Sequence, residues 1–150
     1  MESRVIVTAI VEKDGKYLFG QKPRDIGPYP NTWHLLGGGV KLGEESCEEA
    51  LRREIREEAG IELAEVRRVS FDEDYEPNKH GVMTHYVFLV YWARCVSETT
   101  RAADDITEIR WIDRGDLGTY LFTRPSTKLF HELGILPEYG RPEQTMESSA

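Results

Sequence analysis

Apolar residues fill both alternating sets of the segment from Arg4 to Glu12: Val5, Val7, Ala9 and Val11 on one side, Ile6 and Ile10 beside Arg4 and Thr8 on the other. A strand apolar on two faces is predicted to lie centrally in a sheet, covered from both sides. Lys13-Asp14-Gly15-Lys16 carries the Asp-Gly signal of a hairpin turn, and Tyr17 to Gly20 reads as the returning strand. Pro23 to Asn31 holds three prolines and one glycine and predicts a structured loop over the sheet edge. Trp33 to Leu36 is then a short strand ending in a turn of three glycines, Gly37-Gly38-Gly39.

The period changes after the glycines. Cys47, Leu51 and Ile55 recur every fourth residue with Ala50 and Ala59 beside them, which predicts a helix with one buried stripe. It starts near Glu44 or Glu45 and stops at Gly60. Val66 to Phe71 and Val82 to Arg94 read as strands with a polar loop, Asp72 to Gly81, between them. Glu98 to Asp105 is a second polar loop and Ile106 to Ile112 a last strand. Arg114 to Leu117 suggests a single turn, and Ser126 to Leu133 a helix stopped by Gly134. Tyr139 to Ala150 is nearly devoid of apolar residues and reads as a frayed tail. The expected organisation is one domain over residues 1–140 and a flexible tail over 141–150. The fold class is α/β, a mixed sheet sandwiched between helices.

Composition narrows the partners. A net charge of -8 over 150 residues repels polymeric nucleic acid and anionic membranes at long range. It leaves room for a small phosphorylated substrate, because bound cations reverse the local sign. Cys47 and Cys95 are too few for a disulfide framework and sit in apolar patterns, so both are expected to be buried free thiols. Met1-Glu2-Ser3-Arg4 leads into a strand rather than a signal peptide, and no run approaches 18 apolar residues. A cytoplasmic protein is the expectation.

Candidate chemistry is concentrated between Gly39 and Ile61. Glu54, Glu57 and Glu58 stand three and four residues apart and share one helix face bordering the buried stripe. Like charges this close destabilise a bare helix, and a hard divalent cation relieves the repulsion through carboxylate oxygens. The plainer alternative is a solvated acidic face balanced by Arg52, Arg53 and Arg56. The full run weighs against that alternative: Gly39, Glu45, Arg53-Glu54-Ile55, Glu57-Glu58 and Gly60-Ile61 stand at the spacing of the Nudix signature. By this run the chain resembles the Nudix hydrolase family. Leu36 stands where that family usually has proline before its paired glycines.

The resemblance implies the Nudix fold and roles residue by residue. Glu57 and Glu58 would be the principal ligands of Mg2+, with Mn2+ as a possible substitute. Glu54 would be a further ligand or the base acting on water. Arg53 would orient Glu54 and tie the helix to the loop, Glu45 would brace that loop, and Gly60 would end the helix. The backbone of Gly38 and Gly39 would approach metal or phosphate, with Gly38 among the metal contacts. Asp105 and Glu108 are the candidates for an additional acidic ligand from outside the run. Such a site is a divalent-metal-dependent pyrophosphohydrolase, in which metal-activated water attacks a phosphoric anhydride.

Substrate choice must come from elsewhere in the chain. Arg24, Asn31 and Trp33 lie beside the glycines, and Tyr75, His85, Tyr120 and Arg124 are candidates for the opposite wall of a cleft. Each has a plain reading too: Arg24 as solvated charge, Trp33 and His85 as core. Gly27 to Trp33, Gly37 to Val40, Ala50 to Glu58, Arg110 to Asp113, Asp116-Leu117, Tyr120 and Thr127-Lys128 together resemble the bacterial, MutT-like Nudix nucleoside triphosphatases. That likeness implies a nucleoside triphosphate, including a pyrimidine deoxynucleotide, cut to a monophosphate and pyrophosphate. The alternatives are a nucleotide sugar, ADP-ribose or an oxidised purine nucleotide, and more distantly a non-catalytic nucleotide-binding module. A monomer or a homodimer fits equally well.

Overall fold

The computed structural model describes residues 1–21, 32–96 and 108–135. The alternating N-terminal segment forms β1 (Glu2–Lys13), and a tight turn returns the chain in β2 (Lys16–Gln21). Asp14 and Gly15 take φ of 51° and 78°, the pair of positive values that a two-residue hairpin requires and Asp-Gly tolerates. There follow β3 (Trp33–His34), β4 (Leu36–Gly39), α1 (Cys47–Ala59), β5 (Leu63–Pro77), β6 (Met83–Cys95) and β7 (Glu108–Asp113). A 3-10 helix (Arg114–Thr119) and α2 (Arg124–Glu132) complete the order.

β1 is central, as its doubly apolar pattern predicts. One side runs parallel to β6 from Glu2↔Thr84 to Val11↔Ala93. The other side is shared: β4 pairs with Ile6 to Ala9, and β2 pairs only with Glu12 and Lys13. β2 then carries β7 and β3, while β6 carries β5. Alternation divides the side chains between two cores. Val7, Ala9 and Val11 meet Ala50, Leu51, Ile55 and Ala59 of α1. Ile10 and Val90 meet Phe122, Leu129 and Phe130 on the side of α2. The sheet is therefore covered by a helix on each face.

Three expectations need correction. α1 begins at Cys47 rather than Glu44 or Glu45, because Ser46 caps it. Ser46 Oγ accepts from Glu49 N at 3.0 Å while Glu49 Oε1 accepts from Ser46 N at 2.8 Å, a reciprocal box that fixes the first turn. At the other end Gly60 is left-handed, φ 71°, and closes the helix as expected. Second, the loop expected over Asp72 to Gly81 is mostly strand. β5 runs to Pro77 in register with β6, from Phe71↔Leu89 to Pro77↔Met83. Its acids alternate with Phe71 and Tyr75 on a half-solvated strand, where polarity is no bar to pairing. Third, Gly37 to Gly39 are not a turn. They are strand β4, paired Thr8↔Gly37, Val7↔Gly38 and Ile6↔Gly39.

Both cysteines are only half-buried, not buried as expected. The loop expected from Pro23 to Asn31, that from Glu98 to Asp105, the start of the last strand at Ile106 and the tail from Tyr139 lie outside the described residues. Among the described residues no helix is long and apolar enough to cross a membrane.

Candidate active site

α1 lies against β4, and its acids reach the glycines. Glu58 Oε1 accepts from Gly37 N at 3.0 Å. The Glu54 carboxylate occupies the space that a Cβ on Gly38 would need. Arg53 joins every part. It donates to both oxygens of Glu45 at 2.9 and 2.7 Å, to Glu54 Oε2 at 2.8 Å, to Glu57 Oε1 at 3.2 Å and to Gly39 O at 3.2 Å. Glu45 in turn accepts from Lys41 N at 2.9 Å, which holds the turn between β4 and α1. One guanidinium thus fixes the turn, the helix and the glycine strand, a use suited to its planar fork of donors.

The electrostatics follow from these contacts. The hydrogen bond from Arg53, and then that from Lys41 N, draws the Glu45 carboxyl down from 4.5 to about 2. The bond to Glu45 in turn raises the pKa of Arg53, against the opposing effect of burial. A carboxyl whose pKa falls on folding binds fewer protons folded than unfolded, so it adds stability above its unfolded value and loses it as pH drops through the folded one. The window here is from 4.5 down to about 2. Glu45→Gln is expected to remove the corresponding slope from a plot of thermal midpoint against pH in that interval. An unchanged slope would show that Glu45 is not clamped in solution.

The arginines do not neutralise the acidic face as a solvated surface would require. Arg52 bonds Glu48 and, at 2.6 Å, Leu63 O, while Arg56 is paired with Glu62. Only Arg53 of the three bonds the acids beside the glycines. Exposure is graded along them: Glu54 is 18% exposed and Glu57 50%. Among the described residues no group of three or more acid, His or Cys side chains is gathered closely enough to hold a metal ion by itself. Instead an all-oxygen set lies along the backbone of Gly37 and Gly38. Oxygen donors of this kind are what a hard divalent cation takes, with water and substrate phosphates completing its shell.

The remaining candidates fall into two groups. Trp33 is fixed between strands: its N donates to Leu121 O at 2.8 Å and its O accepts from Thr123 N at 3.1 Å. Tyr120 meets it edge-on, with centroids 5.5 Å apart. Arg110 lies over both rings, 5.0 Å from Trp33 and 5.8 Å from Tyr120, and donates to the Tyr120 hydroxyl at 3.1 Å. Arg110 also grips Glu108, so Glu108, expected as a possible metal ligand, is engaged there. Sequence reasoning gave Arg110 no role, since an alternating strand position carries no signal of which rings it will cover.

Tyr75 and His85 are cross-strand partners, stacked at 4.3 Å, and His85 Nε2 is 2.8 Å from Glu73 Oε1. Arg124 instead bonds Asp74 Oδ2 at 2.9 Å and Asp72 at 3.4 Å. Asp74 and Tyr75 are adjacent in a strand, so Arg124 and the Tyr75–His85 pair lie on opposite faces of the sheet. The single wall expected of Tyr75, His85, Tyr120 and Arg124 is therefore not formed, because alternation separates its members. Arg24, Asn31 and Asp105 lie outside the described residues.

Known proteins match this arrangement. The profile of the NUDIX domain matches residues 2–134. Nucleoside triphosphatase NudI of Enterobacter sp. (strain 638) is 31% identical over 142 residues, which is 91% of this chain and 100% of that protein. The crystal structure of a MutT NUDIX hydrolase from Burkholderia pseudomallei superposes with a TM-score of 0.73 at 28% identity, over 88% of this chain and 98% of that one. The NUDIX domain of Shewanella oneidensis NrtR, complexed with ADP ribose, shares the fold at 16% identity, with a TM-score of 0.70 over 89% of this chain and 87% of its own. A profile spanning nearly the whole described chain and a NudI relative matched end to end make this protein a member of the Nudix family, whose hydrolases cleave phosphoric anhydride bonds in nucleotides with the help of a divalent cation.

Proposed function

We propose that the protein hydrolyses a nucleoside triphosphate to a nucleoside monophosphate and pyrophosphate, with a pyrimidine deoxynucleotide among the candidate substrates. The observation that carries the reaction is the placement of Glu54 and Glu58 directly on the glycine backbone of β4, with Arg53 holding the assembly. The substrate class draws its support from the end-to-end likeness to a nucleoside triphosphatase.

Glu57 and Glu58, with Glu54 and the backbone of Gly38, are the groups that would hold Mg2+, or Mn2+ in its place. When bound, such an ion lowers the pKa of water and offsets phosphate charge. The protein's own groups do the rest. Arg53 keeps the Glu54 carboxylate over Gly38, from where it would accept the proton of an attacking water. Gly38 bears no side chain, so the phosphate chain can come close to the backbone. Trp33 is buried in the core, and Tyr120, packed edge-on against it and bonded by Arg110, is the ring placed to offer aromatic surface for a base.

The test is a panel of nucleoside triphosphates, nucleotide sugars and ADP-ribose, each with magnesium and with manganese, with products resolved by ion-exchange chromatography. Monophosphate and pyrophosphate in equal amounts from the triphosphates are expected. Turnover confined to nucleotide sugars or ADP-ribose would overturn the choice of substrate.

A further inference from the structure

Arg4 lies outside the Nudix run, yet it stands at the same glycines. β1 and β4 pair Ile6 with Gly39, and the bond from Val40 N to Val5 O, 3.0 Å, continues the pairing toward the start of β1. Arg4 shares the sheet face of Ile6 and Ile10, the side of α2, by strand alternation. Its guanidinium folds back onto Gly39 so closely that a Cβ there would overlap Nη2 and lie 3.1 Å from Cζ. Gly39 is thus held between two guanidiniums, Arg53 at its carbonyl and Arg4 at its Cα.

The two arginines differ in one respect. Arg53 is committed to Glu45, Glu54, Glu57 and the Gly39 carbonyl, whereas Arg4 is exposed and forms no hydrogen bond or ion pair among the described residues. The acids meet β4 at Gly37 and Gly38, whose Cα hydrogen faces α1, and Arg4 meets it one residue further on from the opposite face. A phosphate chain that leaves the acids and rounds β4 at Gly39 would come within reach of Arg4.

We infer that Arg4 binds the phosphate chain of the substrate, contacting phosphate oxygens on the far side of β4 from the acidic residues. A guanidinium without a fixed partner supplies two parallel donors to phosphate. The bare Gly39 is required because any side chain would displace it. This inference rests on the proposed nucleotide substrate but not on which nucleotide it is.

The experiment compares wild type with Arg4→Met, which keeps the stem and removes the charge, and with Arg4→Lys. Arg4→Met is expected to raise KM for the best substrate of the panel about tenfold, with kcat within about twofold, and Arg4→Lys to fall between. Calorimetry with inorganic pyrophosphate and magnesium, which needs no turnover, is expected to show a parallel weakening. A KM and a pyrophosphate affinity equal to wild type in Arg4→Met would overturn the inference. So would a loss confined to kcat or to thermal midpoint, which marks a structural brace. If wild type hydrolyses no triphosphate, the substrate reading fails, while the pyrophosphate measurement still decides the role of Arg4.

Discussion

Glu57→Gln is expected to reduce kcat by at least about 100-fold while the protein stays folded. Residues that merely support a metal ligand cost about 10–100-fold when removed, and a ligand itself should cost no less. The fold should survive because Glu57 is half exposed and makes one hydrogen bond, 3.2 Å from Arg53 Nη1. An exposed pair of that kind contributes about 0.5 kcal/mol, which moves the thermal midpoint by about 2 °C or less in a chain of this size. Steady-state turnover at saturating magnesium, with a melting curve on the same sample, checks both halves. Turnover near wild type would remove Glu57 from the metal site.

The second large effect separates two adjacent glycines. A methyl group on Gly37 would overlap the backbone oxygen of Val7, and Gly37 has φ of 155°. Neither β1 nor β4 can yield without breaking its register, so Gly37→Ala is expected to destabilise by about 3 kcal/mol or more. A methyl group on Gly38 meets only the Glu54 side chain, which can swing away. Gly38→Ala should therefore melt within a few degrees of wild type but lose about 100-fold in kcat, because the displaced carboxylate leaves Arg53 and the glycine edge. Denaturant titration and turnover of the two variants make the comparison. Equal stability of both would show that β4 is not held in this register, and full activity in Gly38→Ala would show that the position of Glu54 is immaterial.

Much of the site is legible in the chain because it is local. The acids and Arg53 share one helix turn or its neighbour, and their spacing alone puts them on one face. The boundaries that differ from the sequence pattern have two causes, one local and one long-range. The expected start near Glu44 or Glu45 gives way to Ser46, because the reciprocal bonds of Ser46 and Glu49 cap the helix there. Asp72 to Pro77 looked like a loop by polarity, yet it is drawn into the sheet by β6, a partner distant in sequence. Propensity is a weak guide where long-range pairing makes the choice.

Spacing along the chain is enough to define the proposed reaction centre: a helix of fixed pitch carrying Arg53, Glu54, Glu57 and Glu58, preceded by residues too small to obstruct phosphate. It also determined the layered α/β class, through the doubly apolar β1 and the striped α1. Only the tertiary structure decided what surrounds that centre. It turned the three glycines into a paired strand, set Arg4 on one face of it and the acids on the other, and joined Arg110 to Trp33 and Tyr120 across strands. It also sent Tyr75 with His85 and Arg124 to opposite sides of the sheet. The physical reason is that helical spacing is fixed within a few residues, whereas the register between strands is set by packing over the whole domain.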